Sequence, residues 1–176
     1  MKLPTLPIQQ STRFPIKLPI GISDFQKIIK GGYTVVDKSE LAQAIMDDSA
    51  DVIVITRPRR FGKTLNLSML YYFLERTADP HLFDHLRIAQ DQAFCAAHQN
   101  QYPVIFVSFK DIKCAHYADA YADIVELLRR LYEDHQYLLE GDTLSSGEKK
   151  TFMALLDRSA QPSDIKSAIK QLSVYL

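Results

Sequence analysis

A chain of 176 residues has the length of one domain, and its 47% hydrophobic and 24% charged residues are those of a globular protein with a proper core. Its net charge of zero argues against a surface built throughout for nucleic acid or acidic membranes. No apolar run approaches the roughly 18 to 20 residues that span a bilayer, the proline-bearing start carries no secretory signal core, and Cys95 and Cys114 are too few for a disulfide scaffold, so a cytoplasmic protein with reduced thiols is expected.

Residues 1–17 read as an extended lead-in, because Pro4, Pro7, Pro15 and neighbouring Pro19 suppress helix. Ser23 is placed to cap a short helix from Asp24 to Lys30, and Gly31-Gly32 to stop it. Tyr33-Thr34-Val35-Val36 is β-branched and aromatic, which predicts a short strand, and Ser39 then caps a helix to about Asp48. Val52 to Ile55 is a continuous apolar run of the kind found in a strand covered on both faces. A helix from Lys63 to about Arg76 is apolar almost all round and is expected to be buried. Another helix is expected near Asp91 to Gln99, and Pro103 to Phe109 reads as a second buried strand.

In the following long helix, Tyr121, Ile124, Leu128, Leu131, His135 and Leu138 recur at helical spacing and mark one buried face. Helices over about Ser146 to Arg158 and Ser163 to Tyr175 complete the chain, with Pro162 suited to the start of the second. Strand, helix, strand, helices predicts an α/β fold with a parallel sheet, flanking helices and a helix-rich C-terminal half. Two strong strands and one weak one fall short of the about five or six usual in such a sheet. An incomplete sheet is therefore expected, as in a chain that is part of a larger domain.

The segment with the most chemistry is Arg57-Pro58-Arg59-Arg60-Phe61-Gly62-Lys63-Thr64-Leu65, between the apolar run and the helix. Strand, tight loop, Gly-Lys-Thr and helix is the order of a phosphate-binding P-loop. Backbone N–H groups from about Phe61 to Leu65 would face a phosphate, with Gly62 allowing close approach. Lys63 would bridge the β- and γ-phosphates, and the Thr64 hydroxyl would complete the coordination of a nucleotide-bound Mg²⁺. The general G-x-x-x-x-G-K-[ST] pattern wants glycine where Arg57 stands; Pro58 fixes φ beside it and can set the turn differently. Arg59 and Arg60 add cations for phosphate or solvent. A chance Gly-Lys-Thr at a helix start is the plain alternative.

Ile55 through Leu70 strongly resembles the signature loop of the predicted AAA-ATPase-like family, bacterial and archaeal P-loop proteins often fused to a C-terminal nuclease domain of the PD-(D/E)XK type. Leu18-Pro19-Ile20-Gly21-Ile22-Ser23-Asp24-Phe25, Gly32 to Ser39 and Tyr102 to Ile112 are similar to further blocks of that family. The resemblance covers about residues 14 to 176, and residues 18–176 read as the N-terminal portion of its P-loop domain. In this family an arginine at the first loop position is usual. The resemblance implies ATP and Mg²⁺ as cofactors, bound by residues Arg57 to Leu65. By analogy with related P-loop ATPases, Asp37 and Lys38 fall near the adenine; a helix-start carboxylate and a surface lysine are the equal alternative.

The family's Walker B strand, an apolar run ending in Asp-Glu, follows the segment matched by Ile165 to Leu176. No four-residue apolar run ending in Asp-Glu or Asp-Asp occurs in the sequence. A truncated chain is therefore expected, binding nucleotide, with hydrolysis confined to a longer parent and no catalytic residue assigned, and the strand missing from its sheet implies an exposed edge open to self-association. The alternatives are a non-catalytic remnant or interaction module using the helices from Tyr117 onward, and a nucleic-acid phosphate binder using Arg57, Arg59, Arg60 and Lys63. Neither a membrane nor, for this chain alone, a nucleic acid is an expected partner. Cys95, His98, Cys114 and His116 have the residue types of a zinc set, but buried cysteines beside ordinary histidines are the favoured reading. His81 and His85 are read as surface residues, since the metalloprotease pattern needs a Glu beside the first.

Overall fold

The computed structural model describes residues 16–176. Apart from Ile16 and Lys17, the extended lead-in expected for residues 1–17 lies outside the described residues. The chain divides into two compact units at Tyr102/Pro103.

In the first unit, α1 (Phe25–Lys30) is capped by Asp24, whose carboxylate accepts the Lys27 N–H, and not by Ser23. It ends as the two glycines predict. The Tyr33 N–H returns to the Ile28 carbonyl and the Gly32 N–H to that of Ile29, the paired bonds of a Schellman stop, with Gly32 left-handed at φ 64°. Next come α2 (Leu41–Met46), α3 (Lys63–Leu74), two 3₁₀ turns (Pro80–Phe83 and Arg87–Gln90) and α4 (Gln92–His98), which Asp91 caps.

The core of this unit is aromatic. Phe83 stacks on Phe25 and meets Phe73 edge-on, each at 5.1 Å, and Phe73 stacks on Phe94 at 5.9 Å. Such side chains contribute about 1.5–3 kcal/mol each by burial, with a further increment from ring geometry. Polar ties fix α1 on α3: the Phe25 N–H donates to Ser68 Oγ at 3.0 Å and the Tyr72 hydroxyl to Asp24 at 3.2 Å. Burial, with Asp24 alongside, pushes the Tyr72 phenol up to about 12.

The second unit is a helical cluster of α5 (Tyr117–Asp134), α6 (Ser146–Leu156) and α7 (Pro162–Tyr175), with a 3₁₀ turn at Gln136–Leu139. Leu128, Leu131, His135 and Leu138 are buried, as their spacing predicts. So is Tyr132, one step off that stripe. Its ring meets Phe152 at 4.6 Å and its hydroxyl donates to the Ala168 carbonyl at 2.9 Å, joining three helices. Ser145 and Glu148 cap α6 reciprocally.

The predicted parallel sheet is absent. Among the described residues the only β-bridge is a parallel one, Glu75 to Tyr102. Residues 33–36, 52–55 and 103–109 form no strand. The reason is visible in their surroundings: Val52 and Val54 are 77% and 76% exposed. A β-branched run becomes a strand when a partner takes up its N–H and C=O groups and a layer covers its side chains. Here the apolar faces of the helices bury against one another; Val52 to Ile55 lies exposed, and Ile105 and Val107 pack onto the helical cluster of the second unit instead of into a sheet. Among the described residues there is accordingly no sheet edge.

Candidate functional site

The loop from Arg57 to Gly62 owes its course to its residue types. Pro58 holds Arg57 away from helical geometry, and residues 52–58 form neither helix nor strand. Two left-handed residues then turn the chain into α3, Arg60 at φ 67° and Gly62 at φ 75°. At Arg60 that conformation costs about 1–2 kcal/mol; at Gly62 it costs little. A Cβ on Gly62 would meet nothing nearer than Asn66 Oδ1 at 4.0 Å, so within the chain glycine is required by its φ and not by lack of room.

Gly62 begins α3, its carbonyl accepting the Asn66 N–H at 2.8 Å. No side chain caps this end, so the first-turn N–H groups and the positive end of the helix dipole are available to an anion. The Lys63 ammonium folds over the loop, donating to the carbonyls of Arg57 and, at 3.0 Å, Pro58. Two of its three hydrogens are thereby used.

A cavity of about 610 Å³ opens beside this loop, lined by Lys38, Arg57, Lys63 and Thr64 and walled by apolar side chains, among them Ile53, Ile55, Phe61 and Leu67. Its charged lining residues are all cationic. The guanidinium of Arg57 and the ammonium of Lys38 have no hydrogen-bond or ion-pair partner among the described residues. Cations and donors together with apolar walls suit an amphiphilic anion of nucleotide size. Among the described residues no group of three or more His, Cys, Asp or Glu is arranged to hold a metal ion.

Of the predicted site residues, Arg57, Phe61, Lys63 and Thr64 line the cavity. Pro58 contributes its carbonyl to Lys63, and Gly62 the helix start. Arg59 and Arg60 are exposed outside the lining, and Leu65 packs against the aromatic core. Lys38 joins the lining, whereas Asp37 turns away from it, accepting the N–H of Ser39 at 2.9 Å and of Arg87 at 2.7 Å. Burial alone would raise the Asp37 carboxyl; these donors outweigh it and bring its pKa below the ordinary value. Ser39 caps nothing: its buried hydroxyl accepts the Ile88 N–H at 3.2 Å. The walls Leu41 and Ile53 lie outside the loop motif and are found only through the fold.

The second unit has its own cavity of about 440 Å³, lined by four carboxylates (Asp111, Asp123, Glu126, Asp134) and one cation, Arg130. Glu126 is engaged by Arg129, Arg130 and Arg158, led by Arg129, and this holds its carboxyl down at about 2. Three of the four residues with zinc-ligand chemistry have separate engagements: Cys95 donates to the Ile88 carbonyl, His98 meets the Tyr102 hydroxyl, and Cys114 donates to Asp123. His81 is exposed and bonded to Asp84. No helix among the described residues is long and apolar enough to cross a membrane.

Comparison with curated proteins and with solved structures found no match. A family model described as predicted AAA-ATPase matches residues 19–170. That stretch is most of the sequence and includes the loop, α3 and the cationic cavity, and the chain belongs to the AAA-ATPase-like family.

Proposed function

We propose that this chain binds a nucleoside polyphosphate, ATP in the first place, with its phosphates at the Arg57–Thr64 loop and the start of α3. The observation that carries the reading is the cavity whose charged lining residues are Lys38, Arg57 and Lys63, beside a helix start that no side chain caps. Polyphosphate needs dense positive charge and many donors; the apolar walls suit a base. In this reading the loop is a P-loop. The N–H groups from Phe61 to Leu65 and the Lys63 ammonium take the phosphates, while the Thr64 hydroxyl contacts the Mg²⁺ that arrives with them. Arg57 adds charge at the cavity, and exposed Arg59 and Arg60 attract the ligand over about a Debye length.

The proposed activity is binding without turnover by these residues alone. Hydrolysis needs a group that orients water and a carboxylate for the metal, and the cavity lining supplies neither. Thermal unfolding in increasing Mg-ATP tests the proposal. A ligand at about a hundred times its Kd stabilises the folded state by about 2.7 kcal/mol, so a rising transition temperature is expected with wild type and a clearly smaller rise with Lys63→Ala. No rise for wild type at millimolar Mg-ATP would refute it.

A further inference from the structure

We infer that Lys38 is a second cationic contact for the phosphates of the ligand, and that Asp37 and Ser39 are positioning residues that hold it at the cavity. The inference rests on the nucleotide-binding reading above. Lys38 belongs to a different part of the chain from the loop, the turn that leads into α2, yet it lines the same cavity as Lys63. Its ammonium has no partner among the described residues.

The residues on either side of Lys38 are committed. Asp37 holds the N–H of Ser39 and, from 50 positions further along the chain, that of Arg87. Ser39 is buried and holds the N–H of Ile88, while the Arg87 guanidinium reaches Glu40 at 3.6 Å. The carbonyl of Lys38 itself accepts the Leu41 N–H at 3.0 Å. The backbone is thus pinned before and after Lys38 to the 3₁₀ turn Arg87–Gln90, and only the lysine side chain is uncommitted.

This arrangement differs from that of an ordinary surface lysine. Asp37, the nearest acid in sequence, spends its carboxylate on backbone donors and is not engaged by the neighbouring ammonium. A charge held on a fixed backbone loses less freedom when a ligand arrives than one on a mobile segment. With the Lys63 ammonium shared between two loop carbonyls, Lys38 and Arg57 are the cations of the lining whose donors are unspent.

Calorimetric titration of the full chain with Mg-ADP, and separately with Mg-pyrophosphate, tests this. Lys38→Ala is expected to weaken both ligands about tenfold, the loss of one charge-assisted hydrogen bond, with an unchanged unfolding temperature. Asp37→Ala is expected to weaken binding in the wild-type background and to add nothing in the Lys38→Ala background. The sign matters: by charge alone, removing an acid near an anion strengthens binding, so a loss reports misplacement of Lys38. Affinity of Lys38→Ala within twofold of wild type, with Lys63→Ala defective, overturns this inference and leaves the nucleotide reading standing. A loss confined to ADP overturns the assignment to phosphate. Wild type that binds neither ligand overturns both readings. Should Asp37→Ala fail to fold, the exposed Lys38→Ala decides alone.

Discussion

The two units bury comparable apolar clusters but leave opposite charges in their cavities. The first keeps Lys38, Arg57 and Lys63 around apolar walls. The second lines its cavity with four carboxylates and one arginine, and engages Glu126 with Arg129, Arg130 and Arg158. A phosphate chain is attracted to the first and repelled by the second. The difference teaches that charge left uncompensated, and not cavity size, separates a candidate anion site from a structural cluster. On that ground the proposed phosphate site is the loop with α3, and the helical cluster has no part in the proposal.

The sharpest way to break this comparison is to damage each core in turn. Phe73→Ala and Phe152→Ala remove side chains that are fully buried in the first and second units, and each is expected to cost about 3–5 kcal/mol in chemical denaturation. Under conditions where both variants remain folded, only Phe73→Ala should disturb Mg-ADP affinity; equal damage from Phe152→Ala would remove the division of labour. Next in size, Lys63→Ala should weaken Mg-ADP roughly tenfold to a hundredfold in calorimetry, since a charge-assisted hydrogen bond is worth about 1.5–3 kcal/mol. Removing a cation from the other unit, as in Arg130→Ala, should leave affinity within twofold.

Smaller effects probe the second unit alone. Ser145→Ala deletes one half of the capping box on α6 and should lower stability by about 1 kcal/mol in urea titration with nucleotide affinity unaltered. The smallest effect is in acid. The Glu126 carboxyl is held at about 2 in the fold against an ordinary 4.5. A depressed carboxylate contributes its stability above the unfolded value and loses it as pH falls, here between about 4.5 and about 2. Glu126→Gln should therefore flatten the acid limb of the stability curve in that window. The change should be slight, because Arg130 and Arg158 are well exposed and solvent screens their pairing.

How far the sequence carried can be judged from particular residues. Helices with strong local signals were legible: the Gly31-Gly32 stop, the α5 stripe through Leu128 and Leu131, and the Pro162 start of α7 all stand in the structure. The strands were not, because Val52 to Ile55 specifies an extended apolar segment while a sheet depends on partners that such a run does not name. The loop was legible as a contiguous motif, and its entry into α3 through Gly62 follows from glycine's tolerance of positive φ. The inclusion of Lys38 in the cavity lining was open to analogy only. Half of what holds Lys38 there is local, the Asp37–Ser39 turn, but the bonds to Arg87 and Ile88 cross about half a hundred residues and leave no periodicity to read.

The central claim, that a nucleotide meets this chain at the Arg57–Thr64 loop, is tested most directly by amide hydrogen exchange with and without Mg-ATP. The account predicts added protection in peptides covering residues 53–67 and 37–41, and unchanged exchange across α5, α6 and α7. Protection confined to residues 103–176, or none around the loop at saturating nucleotide, would contradict it.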